Sequence, residues 1–407
     1  MISKTDSSSP ERTLSRRSVL EAGIALGVGA AARAATTQPV ANEPIEVRPL
    51  GRTGLKVTRL AAGGSFPEYG RRILEFTYRS GVRYFDNGDL YCGFKAETLF
   101  GDWIRQRGCR ADIIITTKAR TTDPAAFEAR VDDALKKMRV DTIDLFFLHG
   151  LEDPAVPLDA DGQWRTMKDR LVREKKVRFM GFSTHAEMPR RIACLTNAAR
   201  SGWVDALMMA CDPVLIRSDA GLNRAIDTCA KAGVGLLAMK TGRGLGAAGT
   251  LSPRAIEAFR ALGMSPHTAM LAGIWSDERF AAACSEMPSF KIVEENAAAA
   301  RAFRKPFTPD EWKLFDEAAK GLARTTCPGC DGSCRRAAGT QTDFCSIMRY
   351  LAYCEESGNL AAARELYAEL APEQRDWRDA DLAAASQACR SRLDFERLLA
   401  RAARWLG

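Results

Sequence analysis

Short apolar runs recur along this chain at a nearly constant spacing, and this recurrence constrains the fold more than any other feature. Seven of eight runs start about 26 to 34 residues apart, which is the length of one strand, one helix and two loops. We interpret each run as a buried β-strand. The runs are KVTRLAAG from Lys56, VRYFDN from Val82, DIIITTK from Asp112, TIDLFFLH from Thr142, KVRFMGFS from Lys176, VDALMMA from Val204, VGLLAMK from Val234 and FAAAC from Phe280.

The segments between these runs have the pattern of amphipathic helices. The stretch that opens with Asp123 and Pro124, for example, places Phe127, Val131 and Ala134 on one face. Strands that are apolar on both faces and alternate with helices are typical of a parallel sheet covered by helices. Eight such units within residues 45–320 predict an α/β fold, a closed (β/α)8 TIM barrel. An open doubly wound sheet is the alternative, but no G-x-G-x-x-G motif follows the first strand.

Chain length and charge narrow the classes of function. A chain of 407 residues has room for one large domain and a smaller one. The net charge of +8 is spread along the chain without a basic block or an interleaved aromatic stripe, so we expect no nucleic-acid partner. No segment is apolar over enough residues to predict a stable membrane span.

The first 35 residues have the pattern of an export signal. The stretch SRRSVLEAGIALGVGAAARAA joins the pair Arg16-Arg17 to a short Gly/Ala-rich apolar run and then to Ala32-Arg33-Ala34, an A-x-A cleavage site. This order resembles a bacterial twin-arginine signal peptide, with Val19 and Glu21 departing from the usual pattern. The resemblance implies a periplasmic or otherwise exported protein. A disordered basic tail is the alternative.

Four titratable residues fall at or just after the ends of three adjacent predicted strands. Asp86, Lys118 and His149 end the second, third and fourth runs, and Tyr91 follows Asp86 in a glycine-punctuated loop. Active sites of barrels lie at the carboxyl ends of the strands, so these side chains are expected to converge. An ammonium beside a phenol eases proton release, a carboxylate holds the ammonium, and an imidazole can donate a hydrogen bond to a carbonyl oxygen.

The surrounding motifs resemble the aldo-keto reductase superfamily. The matching stretches are PLGRTGLKVTRLAAGG, GVRYFDNGDLYCGFKAETLFG, ITTKAR and DLFFLHGL, and the resemblance covers about Pro49 to Phe303. It implies that Tyr91 is the general acid, that Lys118 and Asp86 tune it, and that His149 orients the carbonyl of a small-molecule substrate.

The resemblance also implies a nicotinamide cofactor, NADP or NAD, bound across the barrel mouth. Met208 and Met239 stand where many members carry a glutamine and a stacking tyrosine, and the glycine-rich segment after Lys240 is alternatively a simple flexible turn. Positions that the resemblance assigns to the cofactor are Ser183, Thr184, Met239, Lys240, Gly242, Glu295 and Asn296. NADP is the family default only, because Glu286 and Ile292 fall about where NADP-selective members carry basic residues, with Lys291 alone nearby.

The composition changes after residue 320. Residues 321–407 contain no lysine but 12 arginines and 12 acidic residues, which favours a separate module. Apolar spacing predicts an all-α module with helices at 347–356, 360–370 and about 382–405.

Three cysteines at the start of this module have the spacing of metal ligands. Cys327, Cys330 and Cys334 form a C-x2-C-x3-C run that resembles the last three ligands of a 4Fe-4S motif, which implies a ferredoxin-like module and an electron-transfer partner. Arg324 and Arg335 stand where the motif has its first cysteine and its proline, so the fourth thiolate would come from elsewhere: Cys345, Cys354 or Cys389. Zinc, and disulfides or free thiols, are the alternatives.

These features predict an exported oxidoreductase that transfers hydride between a nicotinamide and a carbonyl or alcohol. The alternative is a nucleotide-binding redox-sensing or binding protein with little turnover, which Met208, Met239 and Glu286 favour and the four strand-end residues oppose. The sequence leaves the substrate and the oligomeric state open.

Overall fold

Eight parallel strands close into a barrel in this computed structural model, which describes residues 43–64, 70–242, 252–320, 324–355 and 358–407. A short antiparallel hairpin, β1 (Val47–Pro49) and β2 (Lys56–Thr58), precedes the barrel. The barrel strands run in the order β10-β3-β4-β5-β6-β7-β8-β9. Their bounds are β3 Leu60–Ala62, β4 Tyr84–Asp86, β5 Ile114–Ala119, β6 Ile143–Leu148, β7 Val177–Thr184, β8 Ala206–Ala210, β9 Gly235–Met239 and β10 Phe280–Ser285.

The predicted (β/α)8 barrel is therefore confirmed, with one difference at its first strand. The run from Lys56 divides at Arg59 into the hairpin strand β2 and the barrel strand β3. The Arg59 side chain is fully buried and donates to the carbonyl oxygen of Phe303 at 3.0 Å, and its guanidinium lies over the Phe303 ring. The division thus places a buried cation against the C-terminal end of the helix Phe290–Ala302.

Helices cover the outside of the barrel as the amphipathic pattern predicts. Asp123 caps the helix that begins at Pro124, accepting a hydrogen bond from the amide of Ala125 at 2.9 Å. Barrel helices are α1 Gly70–Arg79, α2 Ala96–Arg107, α3 Pro124–Met138, α4 Ala155–Leu158, α5 Gln163–Arg173, α6 Met188–Ser201, α7 Pro213–Ser218, α8 Ala220–Lys231, α9 Pro253–Ala261, α10 Pro266–Trp275, α11 Phe290–Ala302 and α12 Pro309–Lys320. None of the helices in the described ranges is both long and apolar enough to cross a bilayer.

In the described part of the chain, six further helices follow the barrel, and all except the short helix Pro372–Arg375 contribute to a second hydrophobic cluster. They are α13 Ser333–Ala337, α14 Phe344–Glu355, α15 Leu360–Ala368, α16 Pro372–Arg375, α17 Leu382–Ala388 and α18 Phe395–Leu406. The single helix expected near 382–405 is two helices, because Arg392 has a positive φ of 52° and Asp394 caps a new helix through the amide of Arg397. We call these helices and the segment that leads into them from residue 324 the C-terminal module.

The C-terminal module and the barrel belong to one compact unit, residues 41–407. The fully buried Arg191 of α6 donates to the carbonyl oxygens of Ala186 and Ala210 in the barrel and of Pro328 in the module. The amide of Met188 donates to the carbonyl oxygen of Cys330 at 3.1 Å. The module is thus held against the barrel by hydrogen bonds from the Arg191 side chain and from the Met188 amide, in addition to the covalent chain.

Candidate active site

The four strand-end residues of the sequence analysis lie together at the carboxyl end of the barrel. Asp86 is the last residue of β4, Lys118 lies near the end of β5, and His149 directly follows β6. Tyr91 lies in the loop after β4, and its ring is packed edge-on against the His149 ring with centroids 5.6 Å apart. The glycine at position 64 is required here, because a Cβ would collide with the Asp86 carbonyl oxygen and lie 2.9 Å from the Tyr91 ring.

Lys118 contacts both Asp86 and Tyr91. Its side chain is fully buried, and its ammonium forms an ion pair with Asp86. The same Nζ atom donates to the carbonyl oxygen of Asn87 at 2.7 Å and to the hydroxyl of Tyr91 at 3.3 Å. The lysine therefore holds one carboxylate and one phenol in fixed positions around a single positive charge.

Burial controls the protonation of this group. It raises the pKa of Tyr91 well above its ordinary value, and the Asp86 charge adds to the effect. Burial also raises the pKa of Asp86, although Lys118 opposes the shift. Tyr91 is therefore a protonated phenol at neutral pH, and the lowering of its pKa expected from the neighbouring ammonium is not what the structure shows.

His149 is oriented by a residue that the sequence analysis did not single out. Its Nδ1 atom lies 3.3 Å from Oδ1 of Asp89. Burial, the largest single influence, would raise the pKa of Asp89. The hydrogen bond and charge of His149, the Arg130 charge and the Arg120 amide together outweigh burial, and the pKa is lowered. Burial lowers the pKa of His149, so its ring is neutral at neutral pH. An ionised carboxylate only accepts hydrogen bonds, and Nδ1 of His149 must therefore carry the proton.

A cavity of about 500 Å³ opens over Tyr91 and His149. Barrel residues at or just after the ends of seven strands line part of it: β3, β4, β5, β6, β7, β9 and β10. Another part of the described lining comes from the C-terminal module, which the sequence analysis treated as separate from the site. Module residues in this part are Asp343, Ser346, Arg349, Tyr350, Tyr353, Asn359, Ala362, Leu366, Glu369, Leu370 and Gln374.

Only some of the positions that the resemblance assigns to the cofactor line this cavity. Met239, Lys240 and Gly242 line it. The described lining does not include Ser183 or Thr184, which are fully buried. The Ser183 hydroxyl accepts from the amide of Gly150 at 3.0 Å, and the Thr184 hydroxyl accepts from Ala186 at 3.2 Å. The glycine-rich segment beyond Gly242 lies outside the described residues.

Lys240 has a role that the resemblance does not predict. Its Nζ atom lies 2.9 Å from Nε2 of His185 and donates to the Tyr353 hydroxyl at 2.8 Å. The lysine thereby joins the ends of β7 and β9 to α14 of the C-terminal module. The residue adopts a positive φ of 58°, which an L-residue rarely takes.

The pair assigned to the adenine lies on α11. Asn296 is buried and donates to the hydroxyl of Ser285, which lines the cavity, at 3.1 Å. Its Oδ1 atom is buried without a hydrogen-bond partner among the described residues. Glu295 is about half exposed and pairs with Lys291 at 3.7 Å. Asn296 is thus an acceptor in need of a donor, whereas Glu295 faces solvent.

The predicted cluster ligands Cys327, Cys330 and Cys334 do not form a metal site. Within the described ranges, no group of three or more His, Cys, Asp or Glu side chains is placed to hold a metal ion. Cys327 shares a hydrogen bond with Cys345, whereas Cys330 and Cys334 lie near Cys389. All twelve cysteines of the chain lie in the described ranges and are free thiols.

Burial explains why these thiols behave as core residues. Cys334 and Cys389 belong to the hydrophobic cluster of the module, and Cys327 packs against it. Burial raises the pKa of Cys334 to about 12 and raises the pKa of Cys330. The hydrogen bond to Cys345, together with burial, raises the pKa of Cys327 well above its usual value. In these surroundings the thiols are neutral.

Several cavity residues were missed by the sequence analysis. Arg120 lies two residues after Lys118 at the end of β5, so the strand-end rule could have found it. His185 directly follows the predicted Ser183-Thr184 pair. Arg349 and Tyr353 lie on α14, and nothing local in that helix indicates that it covers the barrel mouth.

The barrel and the buried polar group at its mouth define the class of protein as a (β/α)8 barrel with a candidate active site at the carboxyl ends of its strands, and comparison with known proteins gives the family. A family profile described as "Aldo/keto reductase family" matches residues 59–320. This match spans more than half of the chain, and the chain belongs to the aldo/keto reductase family.

The sequence identity to individual relatives is low, and it extends over only part of the chain. "Aldo-keto reductase str7" of Strobilurus tenacellus is 27% identical over 43% of this chain and 51% of its own length. The "6-dehydroglucose reductase" of Novosphingobium aromaticivorans is 27% identical over 34% of this chain and 52% of its own length. The chain thus spans about half the length of these curated relatives. Among solved structures, an aldo-keto reductase from Bacillus halodurans in its holo form has a TM-score of 0.55 at 22% identity, over 67% of this chain and 96% of its own, which shows the shared fold.

Proposed function

We propose that this protein is an NAD(P)H-dependent reductase of carbonyl compounds, with Tyr91 as its general acid. One observation carries the proposal. The Tyr91 hydroxyl lies 3.3 Å from the buried Lys118 ammonium, beside the His149 ring, on the lining of a cavity large enough for small molecules. A buried proton donor on the lining of such a cavity is what reduction of a carbonyl oxygen requires.

The residues present fit a nicotinamide dinucleotide. Three of the positions that the resemblance assigns to the cofactor, Met239, Lys240 and Gly242, line the cavity. Asn296 donates to the hydroxyl of Ser285, which lines the cavity, and the Oδ1 atom of Asn296 is a further acceptor without a hydrogen-bond partner among the described residues. When bound, the dinucleotide would supply the hydride that adds to the carbonyl carbon. Both NADP and NAD are compatible with these residues.

Tyr91 would donate its hydroxyl proton to the substrate oxygen as that oxygen becomes negatively charged. Burial keeps the phenol protonated until then. Lys118 would stabilise the phenolate left behind, and Asp86 would hold the ammonium in place. Solvent would return the proton to Tyr91 and complete the cycle.

Steady-state assays test the proposal. Purified protein should consume NADPH or NADH, followed by absorbance, when aldehydes and ketones are supplied. The low-turnover binding protein of the sequence analysis makes the opposite prediction: the nucleotide binds, but no carbonyl in the panel accelerates its oxidation.

The orientation of His149 predicts a pH dependence. With its Nδ1–H held by Asp89, the neutral ring offers Nε2 only as an acceptor. His149 therefore donates to a carbonyl oxygen only when it is protonated. Its pKa is lowered from the ordinary value of 6.5, so kcat/KM for reduction should rise as the pH falls below 6.5. A pH profile against His149→Gln, whose amide donates at every pH, checks this. A wild-type profile that is flat in this range would contradict it.

We also infer export by the twin-arginine route, which the order of Arg16-Arg17, the apolar run and the A-x-A site supports. Replacing Arg16 and Arg17 together by lysine should leave the protein in the cytoplasm of a bacterium with an active twin-arginine route. Cell fractionation and immunoblotting measure the distribution, and Arg12→Lys is the matched control. Periplasmic protein in the double variant would contradict the inference.

A further inference from the structure

A smaller cavity of about 60 Å³ lies where the C-terminal module meets the barrel. Its barrel residues lie at or just after the ends of β7, β8 and β9, or on α6 and α7. Its module residues come from the segment 324–329 and from α14. Cavities that bind organic ligands are usually about 300 to 1,000 Å³, whereas a single water needs about 10 to 15 Å³. This cavity therefore has room for an ion or a few waters, but not for a nucleotide.

The charge of Arg191 in this lining is not balanced by a carboxylate. The side chain is fully buried, and the hydrogen-bond partners of its guanidinium in the described part of the chain are four carbonyl oxygens. They belong to Ala186, Ala210, Pro328 and Gly329. A Cβ on Gly329 would lie only 2.8 Å from Nη2, so the module chain reaches the guanidinium as bare backbone. Buried charges are normally paired, so an anion is expected beside Arg191.

The other two guanidinium groups in the lining have carboxylate partners. Arg324 pairs with Asp212 at 2.9 Å. Arg349 pairs with Glu152 at 3.3 Å, although this carboxylate lies outside the described lining of the smaller cavity. The two carboxylates thus balance two arginines and leave the Arg191 charge over.

Two thiols in the lining do not supply the missing negative charge. Burial raises the pKa of Cys211, although the Arg191 charge opposes the shift. The hydrogen bond to Cys345, together with burial, raises the pKa of Cys327. Both thiols are neutral at neutral pH, so the counter-ion comes from outside these side chains.

His185 presents a hydrogen-bond donor without a partner in the same lining. The ring is buried and neutral, because burial and the neighbouring Lys240 and Arg349 charges lower its pKa well below the ordinary value. The Lys240 ammonium can only donate, and its Nζ atom lies 2.9 Å from Nε2 of His185, so the ring proton is on Nδ1. The Nδ1 atom is buried and has no hydrogen-bond partner among the described residues. Buried donors are almost always satisfied in proteins, so an acceptor is expected here.

We propose that the smaller cavity binds one small monovalent inorganic anion, with the size and charge of chloride, through the Arg191 guanidinium and the Nδ1–H group of His185. One negative charge balances the one guanidinium that lacks a carboxylate. A hydrogen bond to a charged acceptor is stronger than one to a neutral acceptor, which favours the ion over water at the unpartnered donor. Residues of the barrel and of the module surround the ion, so its binding stabilises the docked module.

Urea denaturation of the full chain tests the proposal. Sodium chloride should replace sodium gluconate at constant ionic strength, because gluconate is too large for a cavity of this size. An anion that binds one site of the folded protein lowers the unfolding equilibrium constant about tenfold for each tenfold rise in its concentration above Kd. We expect this dependence on chloride. An unfolding equilibrium constant that is the same in chloride and in gluconate at every concentration would overturn the proposal.

Ala352→Val locates the site. Ala352 of α14 lines the smaller cavity and is not in the described lining of the larger one. The two added methyl groups occupy the cavity and leave every charge in place, so the dependence of stability on chloride should disappear. Undiminished chloride dependence in the folded variant would place the ion elsewhere and overturn the proposal.

Arg191→Gln removes the unbalanced charge and should likewise abolish the dependence of stability on chloride. Arg59→Gln is the matched control, because Arg59 is also fully buried but pairs with Glu46, and it should keep the wild-type dependence. Circular dichroism checks that each variant folds. A chloride dependence in folded Arg191→Gln equal to that of the wild type would contradict the proposal.

Broadening of the chloride NMR signal by the folded wild-type protein measures binding directly, and it should be weaker with Ala352→Val. The comparison decides the proposal even if Arg191→Gln does not fold, and equal broadening by the two proteins would count against it. Chloride binding at this cavity involves no step of carbonyl reduction, so a protein without reductase activity would leave the proposal intact.

Discussion

Replacing Tyr91 by phenylalanine should lower kcat for carbonyl reduction by about 10²- to 10⁴-fold, the range that a general acid contributes. The ring, its edge-on contact with His149 and the Lys118–Asp86 pair remain, so only the transferable proton is lost. Nucleotide affinity should change little, because the hydroxyl contacts Lys118 in the structure. Steady-state kinetics and nucleotide titration on the same preparation measure both quantities.

Tyr367→Phe is the matched control for this variant. Tyr367 lies on α15 of the C-terminal module, is partly buried against the cluster of that module, and is not among the described residues that line the cavity. Removal of the Tyr367 hydroxyl should leave kcat unchanged. Wild-type turnover by a folded Tyr91→Phe protein would remove Tyr91 from the mechanism.

Replacing Lys118 by methionine should reduce both stability and activity. The change leaves the Asp86 carboxylate buried without its ion-pair partner, which costs about 3 to 5 kcal/mol of unfolding free energy. It also removes the charge that would stabilise the Tyr91 phenolate, so kcat of the folded fraction should fall by about 10²-fold or more. Urea denaturation and active-site-normalised kinetics measure the two effects separately.

A partly buried lysine at the other end of the barrel separates stability from catalysis. Lys168 pairs with Asp205 at 2.6 Å, and Asp205 precedes β8 at the opposite, amino-terminal end of the barrel. Residues at that end of a barrel contribute to stability, not to the active site. Lys168→Met should therefore lower stability but leave kcat of the folded protein unchanged. A loss of kcat equal to that of Lys118→Met would show that both act only through stability.

The barrel strands could be predicted because their signal is local. Each run is apolar on both faces, as a strand inside a covered parallel sheet is. The distance between successive runs is the length of one strand, one helix and two loops. The catalytic candidates followed from the same logic, since Asp86, Lys118 and His149 each lie at or just after a strand end. Arg120 obeys the rule and was overlooked, because a single arginine after a strand suggests no chemistry until its unpartnered Nη1 atom is known.

The role of the C-terminal module could not be read from sequence, because it depends on docking. Arg349 and Tyr353 acquire their positions only when α14 lies over the barrel mouth and contacts Glu152 and Lys240.

The cysteine spacing was misleading because it also depends on packing. Close spacing brings thiols near each other along the chain, but packing directs Cys327 toward Cys345 and buries Cys334 in an apolar cluster.

Hydride transfer itself tests the central claim most directly. Wild-type protein should be incubated with NADPH or NADH deuterated at the transferring carbon and with a panel of hydroxylated and simple aldehydes, and the alcohol products analysed by mass spectrometry. We expect one deuterium on the former carbonyl carbon, and a rate of formation of this product that falls by about 10²- to 10⁴-fold in Tyr91→Phe. Folded wild-type protein that binds the nucleotide but gives no deuterated alcohol from any substrate would contradict the account.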